Sequence, residues 1–362
     1  MTETFASQTV PERGVHLLYK RDRAVAIWLL VCAAMIFVMV LLGGITRLSG
    51  SGLSIMEWNP LMGALPPMST GEWERVFALY REIAQYKHVN AGMTLPEFQS
   101  IFWWEFAHRL WGRLIGLVFF LPFLWFLAKG YLRRAWAPKL TAIFLLGALQ
   151  GLVGWYMVAS GFEDRDSVSQ YRLVLHLGMA LVIYALILWS ALDLLQPERL
   201  HGSQSTARPL RLHARVLLAL VALELVLGGL VAGLHGGLVY NDFPFMNGDW
   251  IAPDVFGLSP WWANPTENPV TAQFLHRMGA YLVTIALLSL VWRAWRNELP
   301  RPLQARMALL LVALILQVAL GITTLMLVVP LPLAAAHQGG AVLLLSATLF
   351  SLHGLKRMGA TA

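Results

Sequence analysis

Residues 26–45 read AIWLLVCAAMIFVMVLLGGI, an unbroken apolar run long enough to cross a bilayer as a helix. Its last four residues return later in the chain. Leu42-Gly43-Gly44-Ile45 is echoed 185 positions on by Leu227-Gly228-Gly229-Leu230. The run decides the class of protein, and the echo decides its architecture.

Of 362 residues, 57% are hydrophobic and only 13% charged, about half the charge of a typical soluble domain. Hydropathy places further spans near 105–128, 138–159, 172–194, 213–234, 273–295, 305–329 and 333–354, with the first near 25–46. The expectation is an all-α integral membrane protein of eight transmembrane helices. The first residues, MTETFASQTVPERG, lack the apolar stretch of a cleaved signal. Glu3 and Glu12 argue against a mitochondrial presequence, so the first span is expected to stay as an anchor.

Lys20, Arg21 and Arg23 precede the first span. Lys129, Arg133, Arg134 and Lys139 join spans two and three, and Arg199, Arg208, Arg211 and Arg215 lie around the next even-to-odd connection. Arg293, Arg296, Arg301 and Arg306 surround the loop after span six, and Lys356 and Arg357 close the chain. The 235–272 loop on the other side holds Asp242, Asp249, Asp254 and Glu267 but no Lys or Arg. The positive-inside rule then puts both termini in the cytoplasm. These cations are topology signals, so the net charge of +7 calls for no nucleic-acid partner. The one cysteine, Cys32, excludes an internal disulfide and a Cys-ligated cluster and reads as a packing residue.

The echo extends to every span. Phe106-Ala107-His108-Arg109 opens span two and Phe274-Leu275-His276-Arg277 opens span six. Leu149-Gln150-Gly151-Leu152-Val153-Gly154 in span three matches Leu316-Gln317-Val318-Ala319-Leu320-Gly321 in span seven, and His176 and His337 open spans four and eight. A four-span repeat keeps its orientation, so the halves relate by an axis along the membrane normal. The expected layout is a cytoplasmic segment 1–24, a four-helix half 25–196, a linker 197–212, a second half 213–354 and a tail 355–362, forming two pseudo-symmetric bundles.

Among ten histidines, His108, His176, His276 and His337 alone fall at matching repeat positions, all in the outer third of even-numbered helices. Two such histidines at similar depth on parallel helices can hold a planar macrocycle, one imidazole on each face of a haem iron. A single intramembrane histidine is often a hydrogen-bonded packing residue, but four at equivalent positions are harder to dismiss. Zinc is the main metal rival, and each pair lacks evident carboxylate or thiolate neighbours to complete its tetrahedron. His16, His88, His201, His213, His235 and His353 read as loop or helix-end residues.

The halves differ at one telling position. Glu105 stands one turn outside His108 on the same helix face, and its counterpart is Gln273, which cannot ionise. A pocket doing proton or cation chemistry needs a carboxylate; a pocket passing electrons does not. The bland alternative is an i, i+4 pair of Glu105 with Arg109. Arg277 persists opposite Gln273, however, so Arg109 and Arg277 share some other task. Haem propionates are natural partners for them, with Arg47 and Arg113 as further candidates. Glu224 lies in mid-span where charge is costly; its counterpart is Met39, and polar packing is its best reading. The long outer loop 47–104 is expected to form two short helices, at Ser69-Thr70-Gly71-Glu72 and at Thr94-Leu95-Pro96-Glu97. Their aromatics suit either an interfacial belt or a lid over the first pocket.

The stretches GGITRLSGSGLSIMEWNPLMGALPP (43–67), YKHVNAGMTLPEFQSIFWWEFAHRLWGRLIG (86–116), FPFMNGDWIAP (243–253) and ENPVTAQFLHRMGAYLV (267–283) resemble haem A synthase. The resemblance covers about residues 25–350, and it is to the class shared by mitochondria and proteobacteria, because the outer-loop cysteine pair of the Gram-positive class is missing. It implies oxidation of the C8 methyl of haem O to the formyl group of haem A for cytochrome oxidase, in a bacterial inner membrane with the haem sites toward the periplasm. It further implies haem B between His276 and His337, haem O or its intermediates between His108 and His176, and Glu105 as the acid of the family's E-x-x-H-R motif. An electron acceptor or donor, the farnesyltransferase that makes haem O, and a homo-oligomer are the partners it brings to mind, besides the lipid bilayer. The alternative is a di-haem b-type cytochrome carrying electrons from quinol, which would predict equivalent pockets.

Overall fold

The computed structural model describes residues 12–58, 62–162, 165–195, 200 and 203–359, with the side chains of 12–19 and 62 left aside. Arg199, His201, the side chain of His16 and the outermost parts of the two terminal segments therefore lie outside the described residues. The described chain is helical, with isolated bridges but no strand.

Eight helices among the described residues are long and apolar enough to cross a membrane. They are α1 (Glu12–Leu48), α4 (Leu95–Ala128), α5 (Trp136–Ala159), α6 (Gln170–Leu195), α7 (Gln204–Gly233), α9 (Pro269–Arg296), α10 (Arg301–Met326) and α11 (Leu331–Arg357). Three short helices sit in the outer connections: α2 (Thr70–Arg81), α3 (Ala84–His88) and α8 (Asn264–Glu267). Large apolar side chains such as Leu121, Leu152, Ile285 and Ile315 stay exposed on the outer faces of the spans, as lipid contact requires. Cys32 is fully buried in the core.

One expectation about the first outer loop fails. The helix predicted at Thr94–Glu97 is no separate element but the first turns of α4. The cap forms as its sequence demands, Glu97 Oε2 accepting from the backbone N and Oγ1 of Thr94, each at 2.7 Å. Nothing between it and the span breaks the helix. At about 1.5 Å per residue, α4 is roughly 51 Å long, well beyond a hydrocarbon core of about 30 Å. Its protruding end packs Phe98, Phe102 and Phe106 against Phe77 and Tyr80 of the α2 region, with Leu53 and Ile83, in a small core of its own. Trp103 and Trp104 remain exposed.

The spans form two closed rings. In the first, α1 packs on α4, α4 on α5, α5 on α6 and α6 on α1. In the second, α7 packs on α9, α9 on α10, α10 on α11 and α11 on α7. The rings meet where α6 touches α7 and α11, and where α11 touches α1. Here Gln338 donates to Val40 O at 2.7 Å, and Tyr184 Oη lies 2.7 Å from Ser346 Oγ.

Candidate functional site

The four repeat-matched histidines come from diagonal helices: α4 and α6 in one ring, α9 and α11 in the other. His176, His276 and His337 are the seventh, eighth and seventh residues of their helices. They therefore lie roughly 10 Å below the helix starts. His108 is deeper in its own helix because α4 begins early.

Each histidine leans on a glycine of the preceding long helix. A Cβ built on Gly43 would lie 3.1 Å from His108 Cε1, and one on Gly228 would lie 3.2 Å from His276 Cε1. The same atoms would be 2.9 Å apart for Gly154 and His176, and 2.8 Å for Gly321 and His337. Any side chain at these positions would push the imidazole aside, as small residues allow close helix approach within a membrane. In every case Cε1 is the nearest ring atom and Nδ1 the next, so Nε2 is the nitrogen turned farthest from the glycine. The second glycine of the Gly43-Gly44 pair instead faces the other ring: its Cβ would be 2.2 Å from Gln338 Oε1 on α11. Gly229 does likewise against Val174 of α6, at 3.0 Å.

His276 and His337 have ring centres 6.3 Å apart and planes 82° to one another. Metal–imidazole bonds of about 2.0 Å, with about 1.1 Å from each bonding nitrogen to its ring centre, would set two imidazoles on opposite sides of one metal about 6.2 Å apart, close to the spacing found. The donor set, glycine seats and spacing fit a bis-histidine haem. In the other ring Gln150 Nε2 braces His176, 3.1 Å from its Nδ1 and 2.9 Å from its backbone O. Among the described residues no three His, Cys, Asp or Glu converge as a small metal ion would require.

Glu105 is 2% exposed and fully engaged. Its Oε2 accepts from Ser54 Oγ at 2.8 Å and Ile55 N at 2.9 Å; its Oε1 accepts from Arg109 Nε at 3.0 Å and Nη2 at 2.6 Å. Arg109 also donates to the carbonyls of Ile55 and Glu57, at 2.7 and 3.0 Å. The second ring repeats this clamp with one reversal. Gln273 turns its NH₂ outward, donating to Gly236 O at 2.9 Å and to Val239 O, while its Oε1 accepts from Arg277 at 3.0 Å. Arg277 in turn holds Tyr240 O and Phe245 O, each at 2.8 Å. The shared task of Arg109 and Arg277 is thus visible in protein contacts: each fastens the loop that follows the first helix of its ring. Loop carbonyls, scattered in sequence, gave no signal of this beforehand.

Arg47 ends α1 beside His235, whose imidazole is pushed below its ordinary range by burial and then by the Arg47 charge. Arg113 is half-buried one turn below Arg109. Of the remaining histidines, His88 meets Asp166 at 2.7 Å, and His213 lies between Ala286 O and Arg293. His353, expected as a mere helix-end residue, is fully buried and joins Asp193 of α6 at 2.9 Å, because α11 runs against α6 there. Glu224, for which packing was the best reading, lies 2.9 Å from Nδ1 of His276.

A helical membrane protein with two rings, each offering a histidine pair and an arginine-clamped loop, is of a type equipped to hold haem within the bilayer. Comparison with known proteins gives the type its family. Residues 26–349 match the COX15-CtaA model, described as cytochrome oxidase assembly protein, and the chain belongs to this family. It is 52% identical to the haem A synthase of Nitrosospira multiformis over 353 residues, 97% of this chain and 98% of that one. It is 49% identical to that of Rhodospirillum centenum over 96% of this chain and 92% of the relative, and 48% identical to that of Nitrosomonas eutropha over 96% and 98%.

Proposed function

We propose that this chain is a haem A synthase, oxidising the C8 methyl of haem O through the hydroxymethyl compound to the formyl group of haem A. Near-end-to-end identity of about half to proteins of that name carries the reading. The two rings are its two halves, related about the membrane normal, with both termini cytoplasmic and the histidine ends of the helices toward the periplasm. His108 and His176 hold the substrate haem O; His276 and His337 hold haem B, which supplies one-electron chemistry when bound.

The methyl is oxidised in two balanced steps. Methyl plus water gives alcohol, two protons and two electrons; alcohol plus water gives the gem-diol, with two more of each. The diol then loses water to leave the aldehyde. The four electrons pass to an electron acceptor. Removal of an electron pair and a proton leaves positive charge on the methyl carbon, and Glu105 is the group that stabilises it or takes the proton of the incoming water. Its hold on Ser54, Ile55 and Arg109 keeps the carboxylate in a fixed direction. Gln273 cannot play this part, which assigns the reaction to the first ring. The clamped outer loops exclude bulk water from each pocket. With most of their donors on loop carbonyls and on Glu105 or Gln273, Arg109 and Arg277 meet propionates only through what is left, with Arg47 and Arg113 as the further propionate candidates.

The test is pigment analysis of the purified protein. Haem B with haem O, hydroxylated haem or haem A supports the reading; haem B alone overturns it in favour of an electron-carrying cytochrome. His276→Ala should remove haem B and His108→Ala the farnesylated haem.

A further inference from the structure

The two candidate haem pockets differ a second time, in mid-membrane. Glu224 of α7 points its carboxylate at α9, with Oε1 2.9 Å from Nδ1 of His276. The approach is close but not aligned as a hydrogen bond, and Oε2 has no hydrogen-bond partner among the described residues either. Space for it exists because α9 carries Gly279, where a Cβ would lie 2.1 Å from Glu224 Oε2. In the first ring the repeat counterpart of Glu224 is Met39, whose Cε lies 3.0 Å from where a Gly112 Cβ would be. Buried Nδ1 atoms of both His108 and His276 lack a hydrogen-bond partner among the described residues, and the approach of the Glu224 carboxylate is what sets His276 apart. One ring sets a carboxylate behind its histidine; the other sets a thioether nearby.

A buried carboxylate in a bilayer is costly and is kept where it meets a partner. Carboxylates behind ligating histidines fix the ring's tautomer and orientation and raise its basicity toward the metal. A carboxylate at this spot also offsets the positive charge of a ferric haem more than that of a ferrous one.

We infer that Glu224 is a positioning residue for the second haem: it holds the His276 imidazole with Nε2 toward the iron and lowers that haem's reduction potential relative to the first. The inference rests on the assignment of haem B to His276 and His337.

The full-length protein, purified with its haems, is titrated potentiometrically while its absorption and low-spin ferric EPR signals are followed. In Glu224→Gln the ferric form of one haem should lose at least a tenfold preference, an upward midpoint shift of about 59 mV or more. Its EPR signal should move while that of the other haem does not. Gly279→Ala, which leaves the carboxylate's chemistry intact but drives it off His276, should shift the same haem in the same direction. Loss of haem B alone from either variant, at normal protein abundance, also supports the role. Should neither variant accumulate, the unaltered ferric protein must still show two resolved EPR signals, that of haem B reporting the stronger imidazole donor. Unchanged potentials and EPR signals in haem-replete variants, or indistinguishable signals in the unaltered protein, overturn the inference. If His276→Ala retains haem B, the assignment itself has failed; if it loses haem B while the Glu224 variants behave as wild type, only the inference has.

Discussion

Ser54 Oγ sits 2.8 Å from Glu105 Oε2, so the loop leaving α1 hangs directly on the acid whose counterpart in the second ring is Gln273. A neighbouring backbone N–H, that of Ile55, reaches the same oxygen, and Arg109 takes the other. The acid is a peg for the loop and, in the reaction proposed, the reagent as well, and the two roles are separable by experiment.

Glu105→Gln keeps the shape of the side chain but turns one acceptor into a donor facing other donors. Both haems should remain bound, while conversion of haem O falls by about 10²-fold or more, the usual worth of a general acid or base. Chromatography of extracted haems measures this. Full conversion to haem A by the variant would remove Glu105 from the chemistry.

Gly321→Ala places a methyl 2.8 Å from His337 Cε1, too close for the ring to stay. Haem B content should fall well below one per chain while the farnesylated haem is retained. Gly154→Ala, with 2.9 Å to His176 Cε1, should give the opposite pattern. Pyridine haemochrome spectra of the two proteins read the difference, and equal loss of both haems from each would contradict it.

Arg277→Lys cannot reach Tyr240 O, Phe245 O and Gln273 Oε1 together, because an ammonium lacks the fork of a guanidinium. Hydrogen bonds from charged donors contribute about 1.5–3 kcal/mol each, so a stability loss of that order and faster proteolysis within 236–268 are expected. Thermal unfolding in detergent and timed digestion are the measurements.

The second outer loop should also respond to acid. The backbone N–H groups of Asn247 and Gly248, at 2.9 and 3.3 Å, hold the Asp242 carboxyl below the usual carboxylate range. A carboxyl depressed in the folded state stabilises it above the unfolded value and loses that contribution as pH falls through the folded one. The hydrogen-exchange protection factor at Asn247, corrected for the intrinsic rate at each pH, should therefore be high at neutral pH and fall below about pH 4, and Asp242→Asn should be weakly protected throughout.

The spans were legible because hydropathy alone specifies them, and the four histidines that pair in the rings because the repeat singled them out. The start of α4 was not legible because the Thr94 cap and the apolar span each carry the signature of a helix of their own, while nothing between them breaks the chain. The arginine clamps escaped because carbonyl acceptors carry no side-chain signature. Glu224 stood out as costly, but its partner sits on another helix with no fixed sequence spacing. The glycines are a middle case: Gly43, Gly154, Gly228 and Gly321 were visible as repeat markers, while their contact with histidine was a property of packing.

Those glycines carry a consequence for biogenesis. Gly43 lies on α1, ahead of His108 on α4; Gly154 on α5 precedes His176 on α6; Gly228 on α7 precedes His276 on α9; Gly321 on α10 precedes His337 on α11. Every imidazole thus enters the bilayer after the surface that receives it. As the ribosome delivers the spans in order, each antiparallel hairpin is complete before the next begins, and no ligand has to wait for a later helix to find its seat.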